Sequence, residues 1–353
     1  CRKSLASHIA FQGKHASVGE RSMLGVFQQV LQQMGNEDER ALVSFDKMYE
    51  GIRNELKSDI QNSVQVAENN LDDLFAIRVL KALFLVKYYN NFKTTKRNIS
   101  VLMLDHLDVD LQAQNKKIEE ALNKLENQSY IQRNGDVYEF LTNFEKEVEV
   151  EIKNTEIDEQ AETQLLKRIF FDEIITVNKI KYLDNNQEYE YVGNMDGSYL
   201  GRAKELEIEI ITQNNSLYTN PKALQAQTMG LAGMKLMLPA NSNFMKDVQM
   251  YIRTDKYIRQ GHSTSNTPEK NSILREKGEQ NSVRKRNLNT IANQLLADAV
   301  VYMNGGEHEM SASSDGKTKV VKAFQDLVRI VYPNLRMLQN MQFSEETIKT
   351  VIR

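Results

Sequence analysis

A single cysteine, at position 1, removes any internal disulfide framework and any cysteine-based zinc site. Cysteine this sparse also fits a reducing cytoplasm. No run approaches the roughly eighteen apolar residues that a membrane span requires. No charged-then-apolar signal segment opens the chain. Charge of one sign is missing as well: 45 basic residues face 48 acidic ones, for a formal net charge of -3. No global field would draw such a chain onto nucleic acid, so any contact of that kind must be local. Proline is rare, with 4 in 353 residues, while 41% of the chain is hydrophobic and 26% charged. That composition describes a globular protein of about two or three domains.

The usual catalytic patterns are absent too. There is no Gly-x-Ser-x-Gly elbow and no recognisable pair of catalytic carboxylates. His8, His15, His106, His262 and His308 show no metal-ligand spacing. On an expected strand, Glu307 and Glu309 point away from the face that carries His308. Ser314-Asp315-Gly316-Lys317-Thr318 is similar to a phosphate-binding loop, but the glycine needed five residues earlier is Ser311. The simpler reading is a helix start capped by Asp315. The chain is therefore expected to hold no nucleotide site and to be non-catalytic by itself. Its 14 methionines fall mostly on helical apolar stripes and read as core.

Residues 71–145 carry the clearest pattern. FAIRVLKALFLVKYY places Phe75, Val79, Leu83 and Val86 on one helical stripe. NISVLMLDHL opens a second helix at Asn98, with Val101, Leu102 and Leu104. DLQAQNKKIEEALNKLENQ forms a third, expected to bury Leu111, Ile118, Leu122 and Leu125. YIQR-NG-DVYEF then alternates as a hairpin turning on Asn134-Gly135. Three helices followed by a hairpin is the winged helix-turn-helix order. That module reads DNA or serves as a docking surface.

Residues 1–70 read as helical. Gly19-Glu20-Arg21 precedes MLGVFQQVLQQM, and a second helix runs from Ser44-Phe45-Asp46 through Leu56 and Ile60. Their apolar faces are too small for a core of their own, so they should pack on the winged helix or on a preceding part. The opening Cys1-Arg2-Lys3, without methionine, reads as the interior of a longer protein. After the hairpin, Glu145 to Glu159 reads as a solvated helix or linker.

Residues 160–353 read as an α+β domain. QLLKRIFFDEII is a helix, YEYVGN-MDG-SYLGR a hairpin, and 206–212 and 234–239 are strands. FMKDVQMYIRTDKYIRQ is an amphipathic helix, followed by a long helical run over 270–304. A strand at 307–312 and a helix from Lys317 to Tyr332 close the domain. The fold class is thus α+β multidomain: a helical opening segment (1–70), a winged helix-turn-helix (71–150), then a mixed α/β domain (160–353) with a long helical arm.

Two local surfaces could meet nucleic acid. In the winged helix, Lys93, Lys96 and Arg97 precede or open the second helix. Gln114, Asn115, Lys116 and Lys117 lie on the third, and Arg133 sits in the wing. Asp108, Asp110, Glu119, Glu120 and Glu126 oppose them, because carboxylates repel phosphates. The second surface is the arm, where Arg284-Lys285-Arg286 could track a phosphate backbone or simply form a solvated helix face.

The stretches 16–30, 76–88, 118–154 and 247–259, above all NGDVYEFLTN and TDKYIR, resemble one family. It is the BrxC/PglY family of P-loop ATPases from bacteriophage exclusion (BREX) and phage-growth-limitation systems. The resemblance implies a large cytoplasmic ATPase of a defence system that marks host DNA by methylation and blocks phage replication. Its ATP and Mg site would lie before residue 1, since the phosphate-binding loop is missing here. It further implies double-stranded DNA and other defence-system proteins as partners, no membrane, and homo-oligomerisation through the ATPase. Arg21 is the one residue to connect with nucleotide, because a guanidinium after an ATPase core can reach the phosphates. A helix-start partner of Glu20 is the plainer role for it. The expected function is a non-catalytic segment that relays nucleotide state to DNA or partner proteins. A stand-alone DNA-binding regulator and a purely protein-binding scaffold are the alternatives.

Overall fold

The computed structural model describes residues 25, 27–32, 35, 39–53, 56, 58–87, 89, 91–158, 160–261, 268–337, 349, 350 and 352. By their contacts they divide into two units, each mixing helices and strands. The first draws on Cys1–Thr155 and Lys256–Gln280, the second on Glu156–Asp255 and Asn281–Arg353. Residues 256–280, counted with 160–353 in the sequence reading, thus make their contacts in the first unit.

In the first unit, the helices are α1 (Lys47–Ile52), α2 (Ser58–Asn70), α3 (Leu74–Val86), α4 (Lys96–Leu102), α5 (Leu111–Asn127) and α6 (Asn143–Lys153). The hairpin β1 (Ile131–Asn134) and β2 (Val137–Phe140) lies between α5 and α6. α3 is apolar almost all round, which suits only a central helix. It buries nine residues from Ala76 to Val86. Asp73 caps it, accepting from the backbone N–H groups of Phe75 and Ala76 at 3.0 Å. Thr95 and Asp110 cap α4 and α5 in the same way.

One core joins Val30, Tyr49, Ile52, Leu56 and Val64 to α3, α5 and the hairpin, as the small apolar faces of the leading helices require. Arg78 of α3 reaches Asp46 at 2.8 Å and Asp105 at 3.2 Å, and Lys81 reaches Glu50 and Glu68 at 2.5 and 2.7 Å. The expected helix from Ser44 through Ile60 is in fact α1, an isolated bridge residue at Leu56, and α2. α4 opens two residues before Asn98, because Thr95 supplies the cap. Leu111, expected in the core, is 59% exposed, because the first turn of α5 stands off the stripe that Gln114, Ile118 and Leu122 bury.

The hairpin also differs in register. Asn134 pairs with Val137, so the two turn residues are Gly135 and Asp136 rather than Asn134 and Gly135. Gly135 has φ 62°, the left-handed position that a two-residue turn with glycine first requires. Thr95 bridges to Val137, and Tyr138 N donates to Thr94 O at 3.1 Å, so a third short extended piece lines the hairpin.

The acidic stretch after the hairpin is no solvated linker. α6 carries a complete capping box between Thr142 and Glu145 and buries Val148 and Ile152. Glu149 beside them is 2% exposed and accepts from Lys277 Nζ. Lys277 also donates to Gln132 Oε1 at 2.5 Å, so the acid is buried with its partner. A buried charge persists only when paired in this manner.

The second unit is built on a mixed sheet of β3 (Lys179–Lys181), β4 (Glu188–Met195), β5 (Ser198–Leu200), β6 (Leu206–Ile211), β7 (Gly233–Met237), β8 (Val300–Met303) and β9 (Gly306–His308). The order is β3-β4-β6-β7-β8-β9, with β5 added to β4. β4, β6 and β7 run parallel, and the remaining pairings are antiparallel. The β4–β5 hairpin turns on Asp196-Gly197, both at positive φ.

The helices lying in it wholly or in part are α7 (Ala161–Lys167), α8 (Pro221–Gln227), α9 (Ser242–Gly261), α10 (Pro268–Ala297) and α11 (Gly316–Val331), with the end of α9 and the start of α10 counted in the first unit. α7 runs directly into a π-helical segment, Arg168–Ile175. That segment seats Phe171 against the sheet: a Cβ at Gly193 would lie 2.7 Å from its ring. The long helical run expected to reach 304 stops at Ala297. Val300–Met303 leave the helix to pair with β7, where β-branched and aromatic residues fit the pleat. The expected strand at 307–312 is the shorter β9. Among the described residues no helix is long and apolar enough to cross a membrane.

Candidate functional site

The first unit brings several of the sequence candidates to the open side of α4 and α5 and withdraws others. α5 has a buried stripe of Gln114, Ile118, Ala121, Leu122 and Leu125 that faces the core. The opposite side must therefore face solvent. Asn115, Lys116 and Lys117 are exposed there, and Lys93 and Arg97 are exposed around the start of α4. Gln114 points inward, donating to Met103 O at 3.3 Å. Arg133 has a side chain only 7% exposed; it donates to Gly135 O at 2.8 Å and lies 3.5 Å from Glu126. It holds the hairpin turn instead of projecting from it.

The carboxylates around this surface are largely occupied. Asp108 is paired with Arg40 at 2.5 Å, Glu119 with Lys96 at 2.8 Å, and Asp110 accepts the N–H groups of Gln112 and Ala113. Lys96 is thereby tied to α5. Its partner lies 23 residues away, a distance at which no local sequence pattern could have revealed the pair. At the start of α3, backbone bonds from Ala76 and Phe75, joined by Lys124, hold the Asp73 carboxyl below its ordinary value against the opposing effect of burial. Burial, with Glu126 beside it, pushes the Tyr138 hydroxyl up.

The basic triplet of the arm does not form one exposed face. Arg284 is 5% exposed and donates to Asn281 Oδ1 at 2.8 Å. Lys285 pairs with Glu173 at 2.7 Å, and only Arg286 is exposed. Arg21, the nucleotide candidate, lies outside the described residues, as do His8, His15 and His262.

The Ser314–Thr318 stretch opens α11. Asp315 accepts from Thr318 N at 2.9 Å, Gly316 N donates to Asn293 Oδ1 at 3.0 Å, and Lys317 Nζ donates to Thr176 Oγ1 at 2.8 Å. A Cβ at Gly316 would meet Leu296 Cβ at 2.8 Å. The glycine thus permits close helix packing, and the groups a phosphate would need are already engaged. Asp326 holds His308 at 3.0 Å. Among the described residues no cluster of His, Cys, Asp or Glu is arranged to hold a metal ion.

Residues 155–327 match the family model described as the fourth domain, with a six-stranded β-sheet, of the BREX ATP-binding protein BrxC. The sheet path β3-β4-β6-β7-β8-β9 has that strand number, with β5 as an addition. Of the stretches that resembled this family, 247–259 falls inside the matched span. No solved structure matches the chain. That match places residues 155–327 in the BrxC family of BREX phage-defence proteins.

Proposed function

We propose that the chain is the part of a BrxC-family ATPase that contacts double-stranded DNA, relaying the nucleotide state of a motor located elsewhere in the protein. The contact is made by residues 71–145, read as a winged helix-turn-helix with α5 as the helix that approaches the duplex. The order α3, α4, α5, hairpin, together with the Thr95–Val137 bridge, supports that reading.

One observation carries the choice of DNA. The sequence sets five acids against the basic residues of this surface. In the fold, Asp108 and Glu119 are paired and Asp110 is spent on its helix, which leaves Lys93, Arg97, Lys116 and Lys117 exposed. Cations so placed meet phosphates and position the helix, while exposed Gln112 and Asn115 are the groups able to read base edges. The arm contributes Arg286 alone, since Arg284 is buried and Lys285 paired.

A gel-shift of double-stranded DNA by the full chain tests this, with R97E/K116E/K117E as the comparison. Retention by the parent chain and loss in the variant are expected. Equal retention by both would remove the proposal.

A protein-binding surface is the second reading. It is favoured by exposed apolar residues near the same helices: Val101 is 60% exposed, Leu107 66% and Leu111 59%. Substituting these three by serine would then abolish partner capture and leave DNA retention unchanged.

A further inference from the structure

The second unit carries a polar sheet face that the DNA reading does not use. Strand residues alternate between faces, and residues in register share one. Ile208, Ile210, Met234 and Leu236 go to the main core. The opposite face aligns Asn194 with Glu209 and Glu209 with Lys235, and Glu207 with Gly233. Over it lies a cavity of about 160 Å³ whose lining includes Lys204, Glu207, Glu209, Thr228, Gly233 and Lys235. Gly233 keeps its floor low, since a Cβ there would come within 3.2 Å of Glu207 Cβ.

The two lysines of the lining are engaged: Lys235 with Glu209, and Lys204 with Glu190 at 2.5 Å. Glu207 is different. Its carboxylate accepts from Asn194 Nδ2 at 2.8 Å and more distantly from Tyr199 OH at 3.4 Å, and no cation pairs with it among the described residues. Its charge is the leading cause that pushes the Tyr199 hydroxyl up.

Beside it is an independent sign of an unmet partner. Asn194 is 3% exposed, and its Oδ1 has no hydrogen-bond partner. Exchanging its O and N atoms would turn the oxygen toward the Glu207 carboxylate, so the orphan is fixed as an acceptor. A buried acceptor left unmade is expensive, and a carboxylate next to it adds further acceptor capacity.

We propose that this recess, lined by Glu207 with Asn194 hydrogen-bonded behind it, binds the guanidinium of an arginine side chain carried by a partner polypeptide. A guanidinium has five N–H donors and no acceptor, the complement of the acceptor capacity left on Glu207 and Asn194. A metal ion is a poorer occupant, because no group of three or more ligating side chains is arranged for one among the described residues. Exposed Leu231 on the lining and Met229 two residues before it, 62% and 70% accessible, offer apolar contact to the residues flanking such an arginine.

The test is an amide-resolved NMR titration of the full chain with acetyl-Leu-Arg-Leu-amide, with the citrulline tripeptide as an uncharged isostere. Spermidine and free arginine are run as further arms. Saturable shifts at the Asn194 side-chain amide and the Gly233 amide, absent with citrulline, are expected. Glu207→Gln should weaken binding about tenfold or more, the loss of one charge-assisted hydrogen bond. Shifts confined to other residues, equal binding of citrulline, or an unchanged Glu207→Gln affinity would each overturn the site. Spermidine binding as tightly would overturn the guanidinium assignment, and free arginine binding more tightly would overturn the polypeptide source. If Glu207→Gln fails to fold, the location of the shifts in the parent chain decides the matter alone. DNA retention by the first unit plays no part in any of these outcomes.

Discussion

Lys277→Ala removes the ion-pair partner from a carboxylate that is 2% exposed. Lys277 is itself 5% exposed and spans Glu149 and Gln132, so the variant strips a donor from each acceptor at once. Gln132 keeps another contact, because its Nε2 still donates to Glu139 at 2.6 Å. Glu149 loses its ion-pair partner, and breaking a buried pair from one side typically costs about 3–5 kcal/mol. Removing both partners is a different perturbation: Lys277→Met with Glu149→Met leaves no orphaned charge and should cost far less than the two single changes added together. Urea melts followed by circular dichroism measure the totals. Hydrogen exchange over 143–153 and 270–280 then locates the loss in the first unit. A single-variant loss below about 1 kcal/mol, the range of solvated surface pairs, would refute the reasoning. So would a double variant as unstable as the sum of the singles.

Other outcomes follow from individual residues. Asp73→Ala should cost about 1 kcal/mol, the usual value of a helix cap. Because the folded Asp73 carboxyl sits below its ordinary 3.8, its stabilising contribution is present above that pH. It is lost as pH falls through the depressed folded value, so acid melts of the parent chain should show a loss that Asp73→Ala lacks. Gly316→Ala should destabilise by about 1–3 kcal/mol in a thermal melt, because its Cβ meets Leu296 Cβ and the Asn293 carbonyl at 2.8 and 3.0 Å. A neutral result would mean that α11 shifts freely. Gly135→Ala should cost about 1–2 kcal/mol for placing a side chain at φ 62°. An unchanged urea midpoint would show the turn to be different in solution.

What the sequence made legible followed its periodicity. α3 and α5 could be read because their apolar residues recur at helical spacing, and the β4–β5 hairpin because Asp196-Gly197 is a strong turn pair. The leading helices were rightly assigned no core of their own, since a weak apolar face must lean on a neighbour. Long-range pairing escaped. Glu149 read as solvated because Lys277, 128 residues away, is invisible from its neighbourhood. Arg284 read as part of an exposed triplet because helix charge alone does not reveal which side is covered. The end of α10 was missed because Leu295–Val301 is apolar except for Asp298, and helix and buried strand look alike over so short a run. The polar sheet face could not be seen at all, since Asn194, Glu209 and Lys235 meet only through strand order.

The most direct test of DNA contact through α5 is the salt dependence of duplex binding by fluorescence anisotropy. Four phosphate contacts, from Lys93, Arg97, Lys116 and Lys117, give an expected log–log slope of about −3.6, falling to about −1.8 when Lys116 and Lys117 are neutralised. A slope near zero, or one that the double neutralisation leaves unchanged, would contradict the account.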